Sequence, residues 1–507
     1  MKAKRVLSVQ ALPVFLFVLA VSAIPALFAG GRQDSTAAGQ EQAIIRVGSL
    51  YEPGNLSNVD AGGQGLTEAF NGNVYEGLFR LTDGGKVENL LAANYAKSGD
   101  GLVYTVTLRE GVKFHSGKAL TSADVKASFE RISAETSLAA RKSSYRVIKS
   151  IDTPDAKTVV FTLNNPSISF PYTLSYVWIV NTDGRDLRTA EDGTGPYALD
   201  TWTRGSSLSL KKWDGYWGQA AKNAGVVFNY FTDASALNNA LLSGQVDIIT
   251  SVQSPDAISQ FENNSSFVIN NGASTTKELL AFNDRVKPFD DAQVRKAIYS
   301  AIDRRKLLSS VWGKYGSLIG SMVPPTDPWY DASLVNANPY DPALAKSLLT
   351  QAGHPNGISF TLDSPTYDPH PLVAEFVKSE LAKIGVAVSI NPISADEWYT
   401  KVFRDRDFTA TLQEHVNDRD VVWYGNPDFY WGYNNPRVTE LVNQAEQSVS
   451  VDEQTRKLLE VNRIIANEAA SVWLYLYPQI VIASSRLSGY PVNGLNSQFY
   501  AYNILKR

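Results

Sequence analysis

Residues 233–250, DASALNNALLSGQVDIIT, hold a helix, its stop signal and the strand that follows, and this arrangement recurs along the chain. Asp233 is placed to cap the helix, Leu237, Ala240 and Leu241 make one apolar stripe, Gly244 ends it, and VDIIT is the strand. A second unit reads FDDAQVRKAIYSAIDRRKLL (289–308), with Val294, Ala297, Ile298, Ala301 and Ile302 on one helical face. A third, LVAEFVKSELAKIGVAVSI (372–390), breaks at Gly385 before an alternating strand. Repeated helix–glycine–strand units predict an α/β chain in which helices cover sheets. A length of 507 residues predicts two or three such domains.

The N-terminus stands apart from that pattern. Lys2, Lys4 and Arg5 precede the apolar run VLSVQALPVFLFVLAVSAIPALFA, which ends in small residues before Gly30. Residues 1–29 therefore read as a secretory signal peptide, the alternative being an uncleaved anchor, and 30–43 as a flexible polar leader. The segment has the outline of a lipoprotein signal, but Gly30 occupies the place of the lipid-bearing cysteine. The chain has no cysteine at all, which excludes thioether lipidation, disulfides, thiolate metal sites and cysteine nucleophiles. Export without these devices predicts a soluble periplasmic protein. A net charge of −4 offers no basic field for nucleic acid.

Within the mature chain, IIRVGSL (44–50), VYTVTLRE (103–110) and TVVFTL (158–163) alternate as strands, and a glycine-rich loop, YEPGNLSNVDAGGQG, begins at Tyr51. A helix is expected through LTEAFNGNVYEGLF (66–79). GVKFHSGKALTSADV (111–125) resembles a phosphate loop only at first sight. Five residues separate Gly111 from Gly117 where the motif has four, and Ala119 replaces the magnesium-binding Ser or Thr. It reads instead as a turn at Ser116-Gly117 and a capping box from Thr121 to Asp124, followed by an apolar face of Val125, Phe129 and Ile132.

Signatures of hydrolases, zinc peptidases and dinucleotide enzymes are absent, and the four histidines (His115, His354, His370, His415) are scattered. No enzyme activity, metal or cofactor is expected. The feature that stands out is HVNDRDVVWYGNPDFYWGYNNP (415–436), with Trp423, Tyr424, Phe429, Tyr430, Trp431 and Tyr433 among polar and turn residues. Rings with polar tips suit a ligand cleft. The same rings would equally fill the core of their own domain, and both readings stand.

Six stretches, in order, resemble the family-5 extracellular solute-binding proteins of ABC importers, the dipeptide and oligopeptide binders. They are NVYEGLFRLTDGGKVENLLA (73–92), YTVTLREGVKFHSGKALTSADVKASFERI (104–132), GTGPYALDTW (193–202), LLSGQVDI (241–248), VKPFDDAQVRKAIYSAIDRRKLL (286–308) and AKSLLTQAG (345–353). The resemblance implies a two-lobed periplasmic binding protein fold (type II, cluster C-like) with a hinged ligand cleft and an additional α/β domain. It maps a discontinuous lobe I to 41–62, 184–277 and 479–507, the additional domain to 63–183, and lobe II to 278–478. It implies a monomer that captures a solute, chiefly peptides, and delivers it to a membrane permease. An oligosaccharide or other small solute is the alternative ligand. A secreted hydrolase using Asp418 with Glu414 or His415 is the alternative of another class.

The family's peptide binders hold the ligand amine with an aspartate after a strand like DFTATLQEHVND (407–418). Asp418 takes that place here, with His415 where a tryptophan would be, and a plain turn residue is the competing reading of Asp418. An arginine for the ligand carboxylate is missing from DSPTYDPHP (363–371), leaving Arg404, Arg406 or Lys277 as substitutes. The candidate ligand residues are thus Asp418, His415, Tyr51, Trp423, Tyr424, Phe429, Tyr430, Trp431 and Arg404.

Overall fold

The computed structural model describes residues 43–507 apart from 61–62, 83, 140, 253–257 and 495–497. The expected signal peptide (1–29) and nearly all of the leader (30–43) lie outside the described residues. No helix among the described residues is long and apolar enough to cross a membrane.

Three sheets organise the chain. A seven-stranded sheet has the order Phe267–Gly272, Gln479–Ser484, Ile248–Ile249, Ile44–Ser49, Gly225–Tyr230, Ser207–Lys212, Tyr197–Thr203. Its strand Ile44–Ser49 runs parallel to both of its neighbours. The sheet draws strands from both ends and the middle of the chain, so the lobe built on it is discontinuous. A five-stranded sheet has the order Ala387–Ile393, Ser359–Pro365, Ala410–His415, Lys277–Phe282, Ser471–Leu476 and carries the second lobe. Four antiparallel strands between Ala92 and Leu163 form the sheet of the additional domain.

The helix–glycine–strand reading describes local events well. The Asp233 carboxylate accepts from the Ala236 amide at 2.8 Å and caps helix Ala234–Leu242, whose Leu237, Ala240 and Leu241 are buried. Gly244 then turns the chain at φ +74°, a conformation that penalises any Cβ. The helix packs onto Gly48, where an added Cβ would lie 2.4 Å from Leu237 Cδ1. Thr121 and Asp124 form the expected capping box of helix Ser122–Ser133, and Val125, Phe129 and Ile132 are buried.

Two helices differ from expectation. The segment 289–308 is broken into Ala292–Ala301 and Arg304–Trp312, because the Asp303 side chain accepts from the Lys306 amide at 3.0 Å and starts a new helix. The helix expected through Phe79 stops at Phe70. Gly72 adopts φ +70° against the Tyr500 ring, and the Asn73 side-chain amide donates to Ala69 O, a carbonyl that a continued helix would use, and to Phe499 O. This short helix also packs Leu66, Ala69 and Phe70 into the core of the seven-stranded sheet, whereas the boundary expected at residue 63 grouped it with the additional domain.

Candidate ligand site between the lobes

The backbone crosses between the two large sheets twice, at 273–276 and 477–478, in each case directly from a strand of one sheet into a strand of the other. The Tyr477 amide donates to Thr276 O at 2.9 Å, so the two crossings lie side by side. Beside them is a cavity of about 430 Å³. The first lobe contributes Tyr51, Glu68 and Thr250 to its wall, the second Trp312, Glu414 and Asn417, and the additional domain Arg141 and Tyr176. Its size falls within the roughly 300–1,000 Å³ usual for small-molecule sites.

Strand Ala410–His415 positions the second-lobe residues. Alternation along it sends Glu414 toward the cavity and His415 to the opposite face. There the His415 ring bonds the Tyr430 hydroxyl through Nε2 at 3.0 Å and stands 3.5 Å from Asp420 through Nδ1. Lys277, its cross-strand neighbour, is fully buried, with Nζ 3.2 Å from Asp420 and bonded to Asn417 O. Burial works against the Asp420 charge, but Lys277 and His415 outweigh it and hold the carboxyl below its usual range. Lys277 is thereby committed to Asp420.

Asp418 is 6% exposed and one residue beyond the cavity wall at Asn417. Its Oδ1 accepts from the Tyr172 hydroxyl at 2.6 Å and the Tyr176 hydroxyl at 3.4 Å, and Arg419 Nε lies 4.0 Å from Oδ2. Close by, Asp327 accepts from the Arg419 amide at 2.9 Å; burial, reinforced by the Asp418 charge, pushes its carboxyl up to about 7. The Arg141 guanidinium carbon lies over the Tyr176 ring, 3.7 Å from its centroid, and the guanidinium donates to Asn417 Oδ1 at 3.3 Å. Burial works against the Arg141 charge, yet Tyr176, Tyr172 and Asp418 together raise its pKa above the ordinary arginine value. Among the described residues lining the cavity it is the sole cation.

Of the sequence candidates, Tyr51 lines the cavity, and its phenol is pushed up to about 12 by burial and then by Glu414 and Glu68. The aromatic run behaves otherwise. Tyr424, Tyr430 and Trp431 are at most 2% exposed and belong to the core of the second lobe. Trp431 stacks on Tyr424 at 4.4 Å, and the Tyr424 hydroxyl meets Ser471 at 2.9 Å. Phe429 packs against that core, and Trp423 stacks on it at 5.0 Å with one side in solvent. None of the five lines the cavity. Tyr424, Tyr430 and Trp431 are corrected from cleft to core residues, with Phe429 packed on that core and Trp423 at its surface, because ring area buried against other rings outweighs the irregular sequence around it. Arg404 is also corrected: its side chain is 62% exposed and paired in-line with Asp405. Arg406 donates to Asp428 O.

Sequence reading missed Arg141, Tyr176, Glu68 and Trp312. Arg141 and Tyr176 come from the additional domain. Nothing in RKSSY or TLSYV distinguishes them locally.

The family model for bacterial extracellular solute-binding proteins, family 5, matches residues 86–420. The glutathione-binding protein GsiB of Salmonella typhimurium is 29% identical over 474 residues, covering 88% of this chain and 91% of that protein. Among solved structures, DppA of Helicobacter pylori in complex with the peptide STSA superposes with a TM-score of 0.76 at 23% identity, covering 92% of this chain and 99% of that one. AppA of Bacillus subtilis in complex with a nonapeptide gives 0.74 at 21%, with the same coverage. Both show the same fold. The chain belongs to the family-5 bacterial extracellular solute-binding proteins, and it is a two-lobed solute-capturing component of an ABC importer rather than an enzyme.

Proposed function

We propose that the protein captures short peptides or peptide-like solutes in the cavity between its lobes and hands them to an ABC permease. The observation that carries this reading is the cavity itself, walled by both lobes and bounded by the paired crossings at 273–276 and 477–478. A solute touching both walls stabilises the closed arrangement over an open one that offers it a single wall. A relative named for binding glutathione, and same-fold structures in complex with a tetrapeptide and a nonapeptide, support peptides over sugars. In this reading Asp418 receives the ligand amine beside Tyr176, and Arg141 replaces the missing arginine for a ligand carboxylate. Residues 1–29 serve as the export signal, the mature protein acts as a monomer, and the lobes divide near 277/278 and 478/479.

Native mass spectrometry of the mature protein, purified without denaturation, tests the reading. Co-purified masses of short peptides are expected, exchangeable for added di- to pentapeptides. A bound oligosaccharide, with no response to a peptide mixture in titration calorimetry, overturns it.

A further inference from the structure

At the second-lobe end of the cavity Glu414 lines the wall and Glu278 lies buried directly behind it, and the fold leaves both carboxylates without a permanent counter-charge. Glu278 and Glu414 are direct partners on the antiparallel strands Lys277–Phe282 and Ala410–His415, so both project from one face of the sheet. Glu278 is fully buried. Its Oε2 accepts from the Tyr477 hydroxyl at 2.6 Å, while Oε1 has no hydrogen-bond partner. A buried carboxylate oxygen without a donor is rare in folded proteins because its desolvation goes uncompensated.

The groups facing Glu278 do not supply the missing cation. They are Glu414 from the neighbouring strand, Tyr475 and Tyr477 from strand Ser471–Leu476 and the crossing after it, and His370 at the start of helix His370–Ala382. His370 Nε2 is 3.5 Å from Glu278 Oε2, but burial holds the imidazole below its ordinary pKa and so favours its neutral form. Lys277 and His415 occupy the other face of the sheet with Asp420. Arg141 acts on Tyr176, Tyr172 and Asp418, and Glu414 is influenced instead by Glu278, His370 and Tyr367.

The cavity wall here is also aromatic. Trp312 and Tyr477 meet edge to face at 5.7 Å, and both line the cavity together with Glu414. From the first lobe, Tyr51 stands near Glu414 and Glu68, and the buried Glu68 carboxylate is held by the hydroxyls of Ser49, at 2.7 Å, and Thr250. Carboxylates set among ring faces form a site for an organic cation, which gains both charge-assisted hydrogen bonds and cation–π attraction.

We propose that the pocket walled by Glu414, Trp312 and Tyr477, with Glu278 buried behind Glu414, receives a second cationic group of the solute, an ammonium or guanidinium, and so makes the protein selective for basic ligands. The proposal rests on the inter-lobe cavity being the ligand site and deepens it to a ligand class. The cation has two possible sources, a basic peptide side chain or a non-peptide amine. On binding, a proton held between the carboxyls leaves to solvent, because a neighbouring cation favours their ionised form.

Titration calorimetry with Ala-Lys-Ala, Ala-norleucine-Ala and 1,5-diaminopentane tests it on the wild-type protein and on Glu414→Gln. The lysine peptide is expected to bind at least tenfold more tightly than its norleucine counterpart, with affinity rising from pH 6 to 8. Glu414→Gln is expected to erase that preference. Equal affinity for the two peptides overturns the cationic pocket and leaves the peptide reading standing. Binding of the diamine alone, weakened by Glu414→Gln, supports the pocket and overturns the peptide reading. Failure of all three ligands to bind the wild-type protein overturns both.

Discussion

Glu278 and Glu414 face each other across neighbouring antiparallel strands, and the more deeply buried of the two keeps one oxygen unbonded beside the cavity between the lobes. Like charges directly opposite one another destabilise a sheet, so a proton on the pair favours the fold. Burial pushes the Glu278 carboxyl up to about 8, and burial together with the Glu278 charge raises Glu414 as well.

The stability of the ligand-free protein is therefore expected to depend on this carboxyl. The folded state keeps a proton on Glu278 that the unfolded chain releases above about pH 4.3. Stability from that proton is complete in acid and is lost as pH rises toward about 8. Thermal melts of wild type and Glu278→Gln between pH 5 and 8.5 should diverge, the variant losing a slope of at most about 1.4 kcal/mol per pH unit. Parallel pH profiles would show that Glu278 ionises as freely in the fold as out of it.

Asp418→Asn keeps the shape of the side chain and its contact with Tyr172 while removing the charge. Peptides with a free amine should bind about 2–5 kcal/mol more weakly to the variant, as expected on removing the partner of a buried charge. N-acetylated peptides should be little affected. An unchanged ratio between free and acetylated peptides would take Asp418 out of the site.

Arg141→Met retains an apolar stem over the Tyr176 ring and removes the cation from the cavity wall. Affinity for peptides with a free C-terminal carboxylate should fall at least tenfold, and that for the amidated forms by much less. Equal losses for both forms would assign Arg141 a purely structural part.

Trp431 is fully buried and packed against Tyr424. Trp431→Ala should cost about 3–5 kcal/mol in denaturant unfolding, in the range of large core truncations. Trp423→Ala, at a ring 39% exposed, should cost far less and leave peptide affinity intact. A large change in affinity for Trp423→Ala would return the aromatic loop to the cleft.

Local chemistry was legible in the sequence wherever the deciding partners lie within a few residues. Asp233 and the Thr121–Asp124 box cap helices as read, since a cap bonds amides two or three positions away. Gly244 and Gly385 stop helices as read, since a left-handed turn is a property of one residue. Even the errors of this kind are local. Asp303 was an unrecognised second cap, and Gly72 with Asn73 an unrecognised stop.

The sequence by itself determined the α/β units, their caps and breaks, and through six ordered stretches the family to which the chain belongs. Tertiary structure alone decided which rings became core, that Arg141 and Tyr176 of the additional domain reach the cavity, and that two glutamates meet there. Glu278 and Glu414 are separated by more than a hundred residues and joined only by strand register, while Lys277 and His415, one position away on the same strands, fall on the other face. Strand pairing and lobe contact are long-range events, and a side chain's role in a cleft is set by what folds against it from elsewhere in the chain.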